Sequence, residues 1–583
     1  MDGLDVLKEP TWDAKRQRWI ILCRFTVPSG STWPLPVRTS WYVLIDPLYP
    51  VGAIKIYPAK AGGIVDTFPH QSLNLPAPDD SPWRTGDICV HEGRRALRRL
   101  GGTSEPLEAE KRLAWRMQKA LEWVYAASRG DLNGPEDAFE IPDFGVSGNS
   151  VIGFSEDKDS FALWESISTQ AGLATLYTPR LTIQPIITVV HSYQTFNGQN
   201  LYVPQWGTVF EPPSKKALEH CLWVRFPAVP HFLPWRAPAT WGELIQLAQE
   251  MADLDLHQLI HTYSKYLRNQ KPVILLCGFP IPAKIDGPLT EYFWQAVQLP
   301  KLASSDGQLR GFRNNEKNRK RVDRLSYRPN SSLVWRRSEN WHPSTRSIRG
   351  QFSLELTRCR VLIIGGGALG SVIAELLVRG GVEHIVISDN EVTATGNLVR
   401  HTLILQDVRE LKAQSLARRL NQASPHARVK AMGVFPPRAS KDLEIVGQAD
   451  LIIDCTGENE VLYSLRDFDW ERPRIFYSCS LDWQARRSFC YYAWATAFPA
   501  HSFLNEVTPY LVEDSHSEER PELVREGGGC WHPIMPARID DIWMLAAASV
   551  RQLDENLKKK CQKSGLVVFV RDETNGFSGV HRV

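Results

Sequence analysis

The sequence predicts an α/β multidomain protein whose C-terminal part forms a doubly wound parallel sheet. Three observations carry this prediction. The chain has 583 residues, which is enough for about three or four domains. Strands and helices alternate after residue 346, a pattern typical of parallel sheets covered by helices. Before residue 145, by contrast, several strands precede one long helix, which favours an α+β domain.

The N-terminal domain is expected over 1–145. Its apolar segments are rich in β-branched and aromatic residues and are bounded by prolines. The predicted strands are 18–27, 40–45 and 52–57, and an amphipathic helix follows over 106–130. Prolines and glycines after this helix indicate a domain boundary near 145–155.

A central α/β linker domain is expected over 146–345, with a helix over 240–270 and a buried strand over 272–277. Arginine and lysine crowd its end, 310–328, against only two acidic residues. A solvated linker or helix face is the simpler interpretation. The alternative, a phosphate or nucleic-acid patch, lacks the interleaved aromatic residues that such patches use.

The C-terminal domain is expected over 346–583. Its predicted strands are 360–364, 384–388, 427–431 and 449–454, and its predicted helices are 371–379 and 411–421. The apolar stretch 361–378 is about long enough to cross a bilayer. Its glycines and Glu375 favour a strand, a turn and a helix instead, so no membrane association is expected.

The net charge and the spacing of the cysteines exclude several classes of protein. A net charge of +3 gives no whole-chain argument for nucleic-acid binding. The ten cysteines include no CxxC pair, which excludes zinc ribbons and thioredoxin-type motifs. Scattered thiols in a large chain, together with an acidic N-terminus that lacks an apolar signal region, predict a cytoplasmic protein.

A glycine-rich motif predicts a nucleotide site. Gly365, Gly367 and Gly370 fit G-x-G-x-x-G between a predicted strand and a helix, where backbone N–H groups can meet phosphates. Asp389 ends the next strand at a spacing suited to a ribose hydroxyl. These residues alone fit an NAD-dependent dehydrogenase and an ATP-using enzyme equally well.

The residues that follow favour ATP. Asn397, Arg400 and Lys412 come after Asp389, and Asp454 ends a later strand. Two cations would neutralise a triphosphate and the charge that develops on its α-phosphate, and a carboxylate would hold Mg²⁺. Hydride transfer needs no such cationic clamp. ATP and Mg²⁺ are therefore the expected cofactors.

Residues 350–460 resemble the adenylation domain of the ThiF/MoeB/ubiquitin-activating superfamily. The family pattern is matched by these residues: Asp389, Glu391, Val392, Asn397, Leu398, Arg400, His401, Lys412 and Asp454. Gly457 stands where the family usually has a second aspartate, which leaves Glu458 and Asn459 as substitutes. The resemblance also implies a homodimer and an arginine acting on the partner subunit's ATP. Candidates for that arginine are Arg337, Arg346 and Arg349.

Cys530 follows three glycines, and a helix is predicted to begin near residue 536. A mobile thiol before a helix N-terminus can have a lowered pKa. By resemblance to ubiquitin-activating enzymes, Cys530 is expected to capture the acyl-adenylate as a thioester.

Cys89 lies in the sequence Gly-Asp-Ile-Cys-Val, after a Tyr-Pro strand and a Pro-His-Gln turn. That order resembles the ubiquitin-conjugating fold, in which such a cysteine receives the acyl group. The usual His-Pro-Asn triad is altered here. His70, Asn74 and His91 are the candidates for stabilising the oxyanion.

A conjugating-type domain before an adenylating domain resembles the bacterial ubiquitin-activating/ubiquitin-conjugating fusions of CBASS antiphage operons. This resemblance implies that the C-terminus of a cGAS/DncV-like nucleotidyltransferase is adenylated, passed from Cys530 to Cys89 and ligated to a target lysine. No direct nucleic-acid contact is expected. Two alternatives remain open: the same relay acting on a ubiquitin-like modifier, or an N-terminal domain that only recruits a partner.

Overall fold

The computed structural model describes most of the chain. The described residues are 2–28, 35–77, 80–90, 105–134, 136–181, 186–268, 270, 272–305, 308–309, 311–515, 523–524, 532–533, 536–572, 577 and 579–583. They form two compact units: Met1–Pro204 with Ser214–Asn340, and Gln205–Pro213 with Trp341–Val583.

The first unit begins with a four-stranded antiparallel sheet in which neighbours in sequence are neighbours in space. Its strands are Leu4–Asp13, Arg18–Thr26, Arg38–Ile45 and Ile54–Pro58, and its helix is Ala109–Arg129. The first strand was not predicted, because it is an exposed edge strand with little apolar patterning.

The helix of this sheet is held by aromatic packing. Trp41 from the third strand meets Trp123 from the helix with ring centroids 6.1 Å apart. Both side chains lie in one core with Cys23 and Phe25. The helix ends at Gly130, whose φ of 76° is readily adopted only by glycine. The predicted α+β arrangement is confirmed.

A mixed nine-stranded sheet follows in the same unit. Its strands are Ser150–Phe154, Ala171–Tyr177, Ile186–Gln194, Asn200–Tyr202, Glu219–Arg225, Ile274–Pro282, Leu289–Gln298, Val334–Trp335 and Arg337–Asn340. Its helices are Lys158–Ser166, Lys215–Ala217, Trp241–Ala252, Leu256–Leu267 and Glu316–Ser326. Side chains alternate between the two faces of this sheet, so Leu222 packs in one core and Trp223 in the other.

The region 240–328 contains two short helices and a basic helix. The single helix predicted over 240–270 is wrong, because the chain breaks at Asp253, whose φ is 51°. Asp255 then caps a second helix by accepting a hydrogen bond from the backbone N–H of Gln258. The basic run forms the helix Glu316–Ser326, and most of its cationic side chains are exposed. Asp323 points inward and pairs with Arg268 at 2.8 Å.

The second unit contains an eight-stranded sheet. In spatial order its strands are Arg428–Met432, His384–Ser388, Arg360–Ile364, Leu451–Asp454, Arg474–Leu481, Arg487–Ala495, Gly565–Asp572 and Gly579–Arg582. The first five are parallel, as predicted, and the last three join in antiparallel pairs. A separate pair, Leu523–Val524 and His532–Pro533, is also antiparallel.

Helices cover both faces of this sheet, and each face has its own apolar core. The helices are Pro343–Ser347, Leu354–Thr357, Ala368–Arg379, Lys412–Ala423, Ser440–Gly447, Asn459–Asp467, Ala500–Ser515 and Ile539–Lys558, with short 3₁₀ turns at Thr208–Phe210, Thr395–Val399, Leu405–Asp407 and Trp483–Ala485. Among the described residues, none of the helices combines the length and apolarity needed to cross a membrane.

The strand order reverses direction beside Arg360–Ile364. This strand lies between His384–Ser388, which follows it in sequence, and Leu451–Asp454, which comes much later. Ligands of doubly wound sheets bind at such switch points, outside the carboxyl ends of the strands. The topology therefore places a binding crevice directly above residue 364.

Candidate active site

Two positions of the glycine-rich turn require glycine, one for its backbone conformation and one for lack of space. Gly365 has a φ of +89°, a left-handed conformation that favours glycine. A Cβ on Gly370 would lie 1.9 Å from the carbonyl oxygen of Gly365, so the helix could not approach the turn. Gly367 is the N-cap of the helix Ala368–Arg379, and a Cβ there would meet nothing within 4 Å. The helix N-terminus therefore opens onto free space.

That space is a cavity of about 270 Å³ at the carboxyl ends of the strands. It is lined by Ile364, Gly365, Gly367, Ser388, Asp389, Asn390, Glu391, Gly433, Val434, Phe435, Cys455, Thr456, Glu458 and Val461. Sequence reasoning missed Val434 and Phe435, although their position after a predicted strand could have indicated them. It assigned Cys455 to core packing, whereas this thiol also lines the cavity.

Asp389 supports the turn and lines the cavity with the same carboxylate. Its Oδ2 accepts a hydrogen bond from the backbone N–H of Gly366 at 2.7 Å. Its Oδ1 accepts one from the N–H of Glu391 at 2.8 Å. The carboxylate is thus fixed at the end of its strand, where a ribose hydroxyl can reach it.

His401 supports the glycine-rich turn through hydrogen bonds. Its Nε2 donates to the carbonyl oxygen of Gly366 at 2.6 Å, and its Nδ1 accepts from the N–H of Leu403 at 3.2 Å. This pair of bonds requires the neutral imidazole. Burial is the main cause that lowers the pKa of His401 to about 4.

We expect this histidine to make stability depend on pH. Unfolded imidazole protonates near 6.5, so the unfolded chain binds more protons than the folded one between about 6.5 and about 4, and unfolding becomes easier as pH falls through that range. Urea unfolding at a series of pH values measures the slope. His401→Gln should flatten the slope without abolishing it, because burial also lowers the pKa of His426 to about 4. Equal slopes in the two proteins would contradict this role.

The predicted cations, Arg400 and Lys412, are not among the residues that line the cavity. Asn397 accepts a hydrogen bond from the N–H of Ala394 and so caps the 3₁₀ turn that leads to Arg400. Lys412 begins the next helix, and its ammonium group contacts the carboxylate of Glu391. Only 7% of the Lys412 side chain is exposed, against 69% for Glu391. Glu391 therefore links this lysine to the cavity.

Asp454, the predicted metal ligand, ends its strand beside the cavity and is buried. Its Oδ1 accepts from the backbone N–H and the hydroxyl of Thr456 at 3.1 and 2.7 Å. Its Oδ2 accepts from the hydroxyl of Ser478 at 2.8 Å. Burial raises the pKa of this carboxyl, and these hydrogen bonds oppose that rise.

The carboxylates at this site fit Mg²⁺ bound with a nucleotide. Mg²⁺ usually takes one or two carboxylates together with phosphate oxygens and water. Asp389, Glu391 and Glu458 line the cavity, and Asp454 lies behind Thr456. Within the described ranges, no group of three or more His, Cys, Asp and Glu side chains forms a protein-only metal cage. A cation shared with phosphates matches this donor set.

The three candidate arginines have different surroundings. Arg337 pairs with Glu339 at 2.6 Å in the first unit. In the second unit, Arg346 donates to the hydroxyl of Ser424 at 3.0 Å. Arg349, also in the second unit, is exposed.

Of the nine described cysteines, Cys89 is exposed and the other eight are buried or packed against a core. Its backbone N–H donates to the carbonyl oxygen of His70 at 2.7 Å. Asn74 is buried, and its amide is used by the carbonyls of Ile64 and Asp66 and by Arg84. His91 and Cys530 lie outside the described residues.

Two family descriptions match the chain. The Cap2 central linker domain matches residues 130–341, and the ThiF family matches residues 344–471. The ATP-dependent ubiquitin transferase-like protein Cap2 of Enterobacter hormaechei subsp. hoffmannii (strain UCI 50) is 32% identical over 542 residues, which are 92% of this chain and 89% of that protein.

Other proteins match a smaller fraction of the chain. The adenylyltransferase and sulfurtransferase UBA4 of Yarrowia lipolytica (strain CLIB 122 / E 150) is 32% identical over 120 residues, 21% of this chain and 30% of that protein. A crystal structure of E. coli MccB with ATP has 14% identity and a TM-score of 0.28, covering 39% of this chain and 64% of that one. That likeness is too remote to bear on function.

The match to the Enterobacter protein runs along almost the whole chain, and the ThiF match contains the glycine turn, Asp389, Lys412 and Asp454. It confirms the predicted resemblance to ThiF/MoeB-type adenylating enzymes and to the bacterial fusions. The chain belongs to the Cap2 family of ATP-dependent ubiquitin transferase-like enzymes.

Proposed function

We propose that the chain adenylates the C-terminal carboxylate of a partner protein and carries the acyl group through two thioesters to a target amine. The main supporting observation is that one chain carries both features such a relay needs. The second unit has a glycine-rich turn beside an open cavity, and the first unit has an exposed cysteine, Cys89. Residues 1–145 would carry out conjugation, and residues 346–583 would carry out adenylation and form the first thioester. Residues 146–345 would set the distance between these two parts.

The first step forms the acyl-adenylate. A carboxylate oxygen of the partner attacks the α-phosphate of ATP, the bond to the β-phosphate oxygen breaks, and pyrophosphate leaves. Gly365, Gly367 and Gly370 shape the phosphate turn, and Asp389 holds the ribose. Asn397 fixes the approach of Arg400, which with Lys412 balances the developing charge. Mg²⁺, held by Asp454 with phosphate oxygens, would supply charge neutralisation.

The later steps keep the acyl group activated until an amine accepts it. The Cys530 thiolate attacks the acyl carbonyl and AMP leaves. The Cys89 thiolate then attacks the new thioester and releases Cys530. Finally an amine attacks the Cys89 thioester, forming an amide and returning the thiolate. The first two transfers each exchange one good leaving group for another, and the third uses the retained activation to form a stable amide.

The proposed partner is a cGAS/DncV-like nucleotidyltransferase, primed in this way for antiphage signalling. The enzyme would work in the cytoplasm as a homodimer, with a lysine-bearing protein as acceptor. A ubiquitin-like modifier is the alternative donor, and a purely recruiting N-terminal domain is the alternative to catalysis by Cys89.

Cysteine variants test the relay. The full chain is mixed with the co-encoded nucleotidyltransferase and Mg²⁺-ATP, and adducts are resolved on non-reducing gels and mapped by mass spectrometry. Cys530→Ala should abolish all thioesters, and Cys89→Ala should leave the Cys530 thioester but no amide product. Cys561→Ala is the matched control and should conjugate normally.

Three results would overturn the proposal or a part of it. If neither cysteine carries an acyl group in the parent enzyme, the relay does not exist. Normal amide formation by Cys89→Ala would reduce the N-terminal domain to a recruiting module. Should a co-encoded ubiquitin-like protein be loaded and the nucleotidyltransferase not, the modifier alternative is correct.

A further inference from the structure

The carboxylate of Glu140 holds His70 at two points. Glu140 Oε2 lies 2.8 Å from His70 Nδ1 and accepts a hydrogen bond from the His70 backbone N–H at 3.1 Å. His70 has a φ of +58°, which is uncommon for a residue with a side chain. Such a conformation persists where its surroundings hold it, and it is often found at functional sites. Glu140 is 70 residues away in sequence, so no local pattern indicated it.

A short antiparallel bridge places His70 directly opposite Cys89. The bridge joins Gln71 to Ile88, with hydrogen bonds from the N–H of Cys89 to the carbonyl of His70 and from the N–H of Ser72 to the carbonyl of Asp87. The two backbones are hydrogen-bonded to each other, and both side chains are at least partly exposed. The thiol and the clamped imidazole therefore belong to neighbouring residues at the surface.

The two neighbouring amides are already engaged. Gln71 Oε1 accepts from the N–H of Phe68, and its Nε2 donates to the carbonyl of Gly86. Asn74 is buried, with its amide bonded to backbone carbonyls and to Arg84. Among the described side chains, these amides are occupied in shaping the loop, whereas the His70 side chain is 36% exposed.

We propose that His70, oriented by Glu140, is the proton acceptor for the amine that discharges the Cys89 thioester. This inference rests on the proposed relay through Cys89. With Nδ1–H donated to Glu140, Nε2 carries the lone pair of the imidazole. The amine nitrogen forms a bond to the acyl carbon, the carbon–sulfur bond breaks to give the Cys89 thiolate, and the proton leaves the nitrogen for Nε2. Glu140 is a positioning residue in this step.

The groups around His70 raise its affinity for a proton. The hydrogen bond to Glu140 is the main cause that raises the pKa of His70, and burial opposes it. Asp137 raises it further through its charge, and Asn133 through a hydrogen bond. In turn, the bond to His70 lowers the pKa of Glu140, so that carboxylate stays ionised. A base whose pKa lies near the working pH transfers protons most effectively.

Single-turnover discharge isolates this step. The full chain is loaded with the co-encoded nucleotidyltransferase and ATP, further loading is stopped with EDTA, and decay of the Cys89 thioester is followed after addition of free lysine. His70→Gln should load normally and discharge to lysine about 100-fold more slowly, a typical contribution of a general base. Discharge to hydroxylamine should be much less affected, because its nitrogen is more acidic after attack and can lose its proton to water.

The pH profile separates a positioning role from a structural one. Rate should rise with pH as His70 loses its proton. In Glu140→Gln the pKa of His70 falls, so that limb of the profile should move to lower pH while the maximal rate decreases. Glu136→Gln is the matched control, because Glu136 is an exposed neighbour that pairs with Lys284. Its profile should match that of the parent enzyme.

Equal slowing toward lysine and hydroxylamine, with the pH limb unmoved in Glu140→Gln, would overturn the inference and leave His70 a structural residue. Full discharge activity in His70→Gln would also overturn it. Failure of the parent enzyme to form any Cys89 thioester would instead refute the relay, so the two failures are distinguishable.

Discussion

Gly370→Ala should abolish ATP–pyrophosphate exchange and lower the free energy of unfolding by about 3 kcal/mol, the upper range for over-packing a well-packed site. The reason is steric. The new methyl group would lie 1.9 Å from the carbonyl oxygen of Gly365 and 3.2 Å from the Cβ of Cys455. The helix must move away from the turn, and the phosphate-binding N–H groups move with it. Exchange assays and urea unfolding measure the two effects.

Gly447→Ala is the matched control for this substitution. Gly447 is a helical glycine in the same unit, and a Cβ there would meet nothing within 4 Å. Exchange should be unchanged and stability equal or slightly higher, since alanine favours helix. If Gly370→Ala kept wild-type exchange, the close approach of helix and turn would not be required for ATP use.

Lys412→Ala should lower the rate of ATP–pyrophosphate exchange by about 100-fold, the typical cost of losing one group that stabilises transition-state charge. The ammonium is almost fully buried and is directed to Glu391, whose carboxylate lines the cavity. We expect a triphosphate to compete with Glu391 for this cation. Exchange at saturating ATP measures the chemical step separately from binding.

Lys430→Ala provides the comparison for Lys412→Ala. Lys430 is an exposed lysine on the edge strand Arg428–Met432 of the same sheet, so its loss removes the same charge at a distance from the cavity. It should leave exchange within about twofold of the parent enzyme, as surface substitutions usually do. Equal losses in both variants would mean that net charge, and not the position of Lys412, matters.

The sequence predicted the C-terminal core well because that core is locally encoded. The strands 360–364 and 384–388 were predicted to the residue, since short apolar runs followed by glycine or aspartate have few alternatives. The antiparallel strands at the sheet edge were missed. Their pairing depends on partners far along the chain, such as Arg487–Ala495 with Gly565–Asp572, and period alone does not reveal such pairs.

By itself, the sequence determined the family and the fold class and predicted the residues of a nucleotide site, because the spacing of glycines and charges in one βαβ unit is a local property. Only the tertiary structure decided how those residues are held: Asp389 under Gly366, Lys412 beside Glu391, and His70 between Cys89 and Glu140. These contacts join residues that lie between 19 and 70 positions apart, and long-range packing, which no local pattern encodes, brings them together.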